Sequence, residues 1–149
     1  MSRHTARIHA LNLIFQLPFH PEWETDESLF NEATAQYLTD LPDLEGLLRG
    51  LSPDDSDSCF IKEETSGTFS KLHQIDALID ERLKNWDFNR IAKIDLALLR
   101  LAVYEIRYAS DITAATAINE AVELAKVYGT DDSPAFINGV LGQVARADG

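Results

Sequence analysis

The chain has 149 residues, 45% of them hydrophobic, which is enough for one compact domain with a real core. A formal net charge of −12 argues against a free-standing nucleic-acid binder, and the single cysteine, Cys59, excludes an internal disulfide or a cysteine metal cluster. No run approaches the roughly 18 apolar residues of a membrane span, and residues 11–17 are too short and polar for a secretory core, so a soluble cytoplasmic protein is expected.

Charge is unevenly placed. Residues 1–21 hold Arg3, Arg7, three histidines and no acid, whereas residues 22–64 hold 13 acids against Arg49 and Lys62. A weakly basic start therefore precedes an acidic middle, which reads as a solvating surface or as a face kept apart from a cationic patch.

The first helix is expected from Met1 to about Leu17, where Ala6, Ala10, Leu13 or Ile14, and Leu17 recur at helical spacing and Pro18 and Pro21 mark an end and a turn. A second helix begins near Asp26, a suitable N-cap, and carries Leu29, Phe30, Ala33 and Tyr37 to Leu38. Asp40, Pro42 and Asp43 punctuate a connection to a brief helix over 44–51. Residues 52–58, Ser-Pro-Asp-Asp-Ser-Asp-Ser, read as the clearest loop and as a boundary between two halves, about 1–58 and 59–149.

Helix resumes over 59–70, weakened by Ser66-Gly67-Thr68. Leu72, Ile75, Leu78, Ile79 and Leu83 then extend an apolar stripe to Trp86. A turn at 87–89 leaves Asn89 to cap a helix over 90–108, which is apolar on most sides and so central. Ser110 to Thr113 breaks it. In the next helix Ile118, Val122, Ala125 and Tyr128 form the stripe, and Gly129 supplies a left-handed stop. Ser133 is the expected N-cap of the last helix, with Pro134 first inside it and Phe136, Ile137, Val140, Leu141 and Val144 buried. Gly139 and Gly142 would let another helix approach, each at about 1 kcal/mol of helix propensity. No strand alternation competes with the helical period, so the fold class is all-α.

Three segments resemble the NusB family. They are Ala6-Arg7-Ile8-His9-Ala10 continuing to Phe15, Leu99-Arg100-Leu101-Ala102-Val103-Tyr104-Glu105, and Ile118 to Lys126 with Tyr128-Gly129 and Phe136 to Leu141. The likeness is strong over 72–145, weaker over 1–20 and thin over 21–70. It implies a single RNA-binding domain of two packed small helical bundles, about seven or eight helices in all. The function it implies is transcription antitermination. Such a protein pairs with the ribosomal protein NusE, binds boxA-type single-stranded RNA and nucleates an RNA polymerase complex that reads through terminators, notably in ribosomal RNA operons. Some members form homodimers that mask the RNA surface.

The resemblance also places functional residues. Arg3, His4 and Arg7 stand on the RNA side of the first helix, where Arg3 and Arg7 lie one turn apart and share a face. Relatives often carry arginine where His4 and Thr5 stand here, so cationic charge is lost. Asp132, Ser133 and Phe136 are the second RNA group. The helix N-terminus there suits a phosphate and the Phe136 ring a base, although by periodicity alone Phe136 is a core residue. A lysine common before that aromatic is Ala135 in this chain. Phe15 and Asp95 match partner-binding positions. Asn119 and Asn138 fit buried hydrogen-bonding roles.

The four histidines and Cys59 lack metal-ligand spacing, no phosphate loop or nucleophile elbow is present, and no cofactor or catalytic activity is expected. An alternative reading is a protein-interaction or oligomer module on the same fold with weakened RNA binding.

Overall fold

A computed structural model describes residues 1–45 and 54–147. Among them are eight α-helices and no strand. The helices are α1 (Arg3–Phe15), α2 (Pro21–Thr25), α3 (Glu27–Glu45), α4 (Asp55–Ser70), α5 (Leu72–Glu81), α6 (Lys93–Tyr108), α7 (Ala114–Tyr128) and α8 (Ser133–Ala147). The all-α expectation holds. No helix among the described residues is long and apolar enough to cross a membrane. The chain divides into two compact units, Met1–Phe69 and Ser70–Gly149.

In the first unit Ser2 opens α1, its hydroxyl accepting the Thr5 N–H at 3.1 Å. Ala6, Ala10, Leu13 and Ile14 are buried along the expected face. A single 3-10 turn, Leu17–Phe19, and Pro21 at the start of α2 reverse the chain. Asp26 caps α3 as expected, accepting the Ser28 N–H at 3.1 Å. The break foreseen at 40–43 does not occur, because α3 continues to Glu45. Pro42 falls in the final turn, where the one bond it cannot donate is lost near the helix end, and the preceding Leu41 is anchored in the core. Of the brief helix expected over 44–51, Leu44 and Glu45 belong to α3 and the rest lies outside the described residues.

Within the polar run expected as a loop, residues 55–58 are helical, and residues 52 and 53 lie outside the described residues. Asp54 Oδ1 accepts the Asp57 N–H at 2.8 Å while Asp57 Oδ2 accepts the Asp54 N–H at 3.0 Å. This reciprocal cap starts α4 at Asp55, using two carboxylates that composition alone assigns to a loop. Burial pushes the Asp57 carboxyl pKa up, but the Asp54 N–H and the Met1 ammonium at 3.1 Å pull it further down, so it lies below the usual aspartate value. Ser66-Gly67-Thr68 does not interrupt the helix. The buried Thr65 and Thr68 hydroxyls donate to the carbonyls of Ile61 and Glu64 at 2.8 and 2.6 Å. Ala6, Leu13, Leu38, Leu41 and Ile61 then form one core cluster from α1, α3 and α4. Each fully buried large aliphatic side chain there contributes about 1.5–3 kcal/mol. Phe30 stacks on Phe69 at 4.7 Å and meets Trp23 at 5.7 Å.

In the second unit α6 is central, as expected. Residues 95–103 are buried without interruption, and the helix packs on α5, α7 and α8. Its start is Lys93 rather than Arg90, because Phe88–Arg90 forms a 3-10 turn and Ile91 and Ala92 are extended. Asn89 does not cap α6, whose N-cap is Ala92 with no side-chain bond; Asp87 caps the 3-10 turn instead, accepting the Asn89 N–H at 2.9 Å. Arg100 donates to Asp76 through Nε and an Nη, both at 2.9 Å, tying α6 to α5.

Thr113 caps α7 through the Thr116 N–H at 3.1 Å. The buried stripe of α7 is Ala117, Ala121, Leu124 and Ala125, rotated from the one expected. Ile118 and Val122 are only half-buried and Tyr128 is exposed. The alanines permit close packing against α6 and α8, so the larger residues are turned to the flank. Asn119 and Asn138 are both exposed, which corrects their expected buried role. In α8 Ile137, Val140, Leu141 and Val144 are buried. Neither Gly139 nor Gly142 admits a neighbouring helix. A Cβ on Gly139 would meet nothing within 4 Å, and one on Gly142 would meet only Arg146 of the same helix.

Candidate nucleic-acid interface

The second unit carries a groove of about 630 Å³ between the segment after α5 and the start of α8. The segment exists because α5 stops at Glu81, five residues before the expected Trp86. The N–H groups of Arg82 and Leu83 tighten onto the carbonyls of Ile79 and Asp80, and Asn85 adopts φ 61°. Asparagine tolerates that left-handed conformation better than other non-glycine residues. The turn delivers Trp86 to the surface, where 54% of it is exposed. Asn85→Val should cost about 1–2 kcal/mol, the penalty for a branched residue in that region, and Asn85→Gly should be neutral or better. Urea midpoints of the two variants would decide this; equal midpoints would mean the turn does not hold its φ.

The other wall is built by a short turn. The Gly129 N–H donates to Ala125 O at 2.9 Å, the Thr130 N–H to Ser133 Oγ at 2.9 Å, and the Phe136 N–H to Asp132 O at 3.1 Å. Asp132 therefore precedes the first turn of α8, and the Ser133 hydroxyl faces back into the connection rather than capping the helix. Ser133 is 1% exposed. Gly129 is extended, at φ −93° and ψ −168°, so it does not form the left-handed stop expected of it. Its requirement is steric, since an added Cβ would lie 2.5 Å from Ser133 Cβ and Oγ.

The groove gathers Asp132, Ser133 and Phe136 with Asp95. Phe136 is half-buried, and its ring lies 6.4 Å from that of Trp86 at 52°. Arg82, Lys84 and Arg90 bring positive charge to the same groove. Asp95 sits in the first turn of α6, where the helix dipole favours a carboxylate. It is 8% exposed, and its Oδ1 has no hydrogen-bond partner among the described residues. A buried carboxylate oxygen without a partner is costly, and a cation brought to the groove would offset that cost. Trp86, Arg82, Lys84 and Arg90 were not singled out from the sequence. The interleaving of bases and aromatics over 82–90 was the available signal.

The remaining predicted residues lie in the first unit. Arg3 and Arg7 do share a face of α1, with guanidinium carbons 4.5 and 5.5 Å from the centre of the Phe60 ring. Arg3 is exposed and also donates to Ser56 O and Oγ at 3.4 and 3.2 Å. Arg7 is buried, at 5% exposure, and His4 is exposed. Phe15 is half-buried and meets Phe19 edge-on at 5.5 Å, with Phe19 56% exposed.

Comparison with known proteins gives a consistent answer. The model of the NusB family matches residues 4–146. The transcription antitermination protein NusB of Carboxydothermus hydrogenoformans is 44% identical over 98% of this chain and 94% of its own length. Its counterpart from Agathobacter rectalis is 41% identical over 97% of this chain and 100% of its own. Among solved structures, the NusB of T. maritima is 28% identical and superposes with a TM-score of 0.77 over 98% of this chain and 92% of that one.

Proposed function

Because the chain belongs to the NusB family, we propose that it is a transcription antitermination factor that binds boxA-type RNA jointly with the ribosomal protein NusE. The complex would engage RNA polymerase and promote readthrough, notably in ribosomal RNA operons. The observation that carries this reading is the convergence of Asp95, Asp132, Ser133 and Phe136 on one groove.

Each residue has a role that suits its setting. Arg3 and His4, exposed on α1, meet RNA phosphates. Arg7, packed with Phe60, fixes the helix face that presents them. Phe136 offers a ring edge to a base, and Ser133 holds the turn that places Asp132 and Phe136. Phe15 with the exposed Phe19 supports an apolar partner contact, and the Asp95 carboxylate supports a contact to a basic protein such as NusE. A second reading, a protein-interaction or homodimer module with weakened RNA binding, is favoured by the −12 charge and by the burial of Arg7.

The test is a fluorescence-anisotropy titration of a short boxA-type RNA and a scrambled control, with and without NusE, at two salt concentrations. Selective binding that requires NusE and weakens with salt is expected. Arg3→Glu should reduce affinity and lower the salt slope by about one, while Phe15→Asp should impair the NusE-dependent gain. Arg7→Glu is a poor probe, because a buried unpaired carboxylate would destabilise the unit. Absence of selective binding with NusE present would transfer the case to the interaction-module reading.

A further inference from the structure

We infer that Trp86 is a base-stacking residue in its own right: an unpaired nucleobase of single-stranded RNA lies on its exposed face, and Arg82, Lys84 and Arg90 neutralise the flanking phosphates. The inference rests on the RNA-binding reading above and extends its surface to the segment after α5.

Three observations carry it. Trp86 is 54% exposed, although the same ring buried would add substantial apolar stabilisation. The chain holds it outward through a non-glycine residue at φ 61°, the one such residue described. It stands within a nine-residue stretch that supplies three cations to a single groove, in a protein whose net charge is −12. An aromatic platform beside cations on an acidic protein is the arrangement that single-stranded nucleic acid requires, because stacking supplies the contact and the cations offset phosphate repulsion.

The geometry fixes where the base goes. At 6.4 Å and 52° the Trp86 and Phe136 rings are in the range of direct aromatic contact, so a base does not slide between them. It lies on the exposed part of the Trp86 ring, with Phe136 tilted beside it. Arg82 is paired with Glu81 at 3.0 Å, and a phosphate would compete with that exposed carboxylate. Stacking tolerates any base, so this position adds affinity without adding sequence selectivity.

Two tryptophans are present, and Trp23 is buried against the His20 ring at 3.9 Å. Ligand-dependent change in emission therefore reports on Trp86. The experiment titrates the full chain with NusE against boxA-type RNA and against oligo-uridine, following intrinsic fluorescence and anisotropy in parallel. RNA should quench the emission. Trp86→Ala should lose about tenfold in affinity for both RNAs, within the range of one base stacked on one ring, and Trp86→Phe should retain most of it. Because Trp86 is exposed, the thermal midpoint of Trp86→Ala should stay near that of the parent. Unchanged RNA affinity in Trp86→Ala, with the parent binding normally, overturns the inference and leaves the antitermination reading standing. Loss of NusE binding by that variant with RNA affinity intact also overturns it and makes the groove a protein-docking surface. A parent chain that binds neither RNA with NusE present removes both readings together.

Discussion

Asp76→Ala should lower the free energy of unfolding by about 3 kcal/mol, at the lower end of the range for breaking a buried ion pair. The Arg100 side chain is 7% exposed, and two parallel bonds of 2.9 Å bind it to the Asp76 carboxylate. Such a planar fork is strong because both donors and both acceptors are satisfied at once. Deleting the carboxylate strands a guanidinium that cannot ionise away its charge. Asp76 itself is 25% exposed, so water can reach the vacated end, which places the effect low in the range. Replacing Arg100 by methionine as well should recover much of the loss, since an apolar pair leaves no unpaired charge. Urea unfolding at constant m-value would measure both variants beside the parent. A shift below about 1 kcal/mol for Asp76→Ala would show the pair to be as weak as exposed ones. Because α5 leads directly into the Arg82–Arg90 segment, the variant should also loosen the wall of the groove that carries Trp86.

That pair shows what a sequence does and does not disclose. The period of apolar residues correctly placed α6 at the centre of its unit, because a helix apolar on most sides has no other stable position. Arg100 was legible as part of a family pattern, but its partner stands 24 residues earlier on another helix, and spacing within one helix cannot find it. The burial of Arg7 beside the Phe60 ring of α4 is likewise a contact between helices that spacing within α1 cannot find. Helix ends were less legible than helix faces. Asp54 and Asp57 read as loop composition until their two reciprocal bonds made them a cap. Pro42 read as a break, yet Leu41 beside it is held in the core. Asp132, Ser133 and Phe136 entered as candidates through the family resemblance, and they line one groove. The opposite wall was less legible, because the apolar stripe of α5 runs on in sequence to Trp86, whereas the helix stops at Glu81 and leaves that ring 54% exposed.

Gly129→Ala should destabilise the protein by about 3 kcal/mol, the upper part of the range for overpacking. The sign is the informative feature. At φ −93° an alanine is unstrained, and reduced freedom of the unfolded chain would favour it by about 0.4–1 kcal/mol. Sterics reverse that gain. The new methyl would lie 2.5 Å from Ser133 Cβ and Oγ and 2.9 Å from the Ala125 carbonyl oxygen. Ser133 Cβ and the Ala125 carbonyl cannot rotate away, and Ser133 Oγ could do so only by giving up its bond to the Thr130 N–H. Ala125 O already receives the Gly129 N–H, and Ser133 Oγ already receives the Thr130 N–H, so both are fixed by the turn they help to form. Relief requires α8 to move at its first residue, which displaces Asp132 and Phe136 from the groove. RNA affinity should therefore fall together with stability. Gly129→Ala combined with Ser133→Gly should recover part of the stability, because the 2.5 Å contacts vanish while the one at 2.9 Å remains. It should not recover RNA affinity, because the hydroxyl that positions Thr130 is gone. A Gly129→Ala chain that unfolds at higher urea than the parent would show that the turn has room for a methyl, and that glycine there serves neither close approach nor the placement of Phe136.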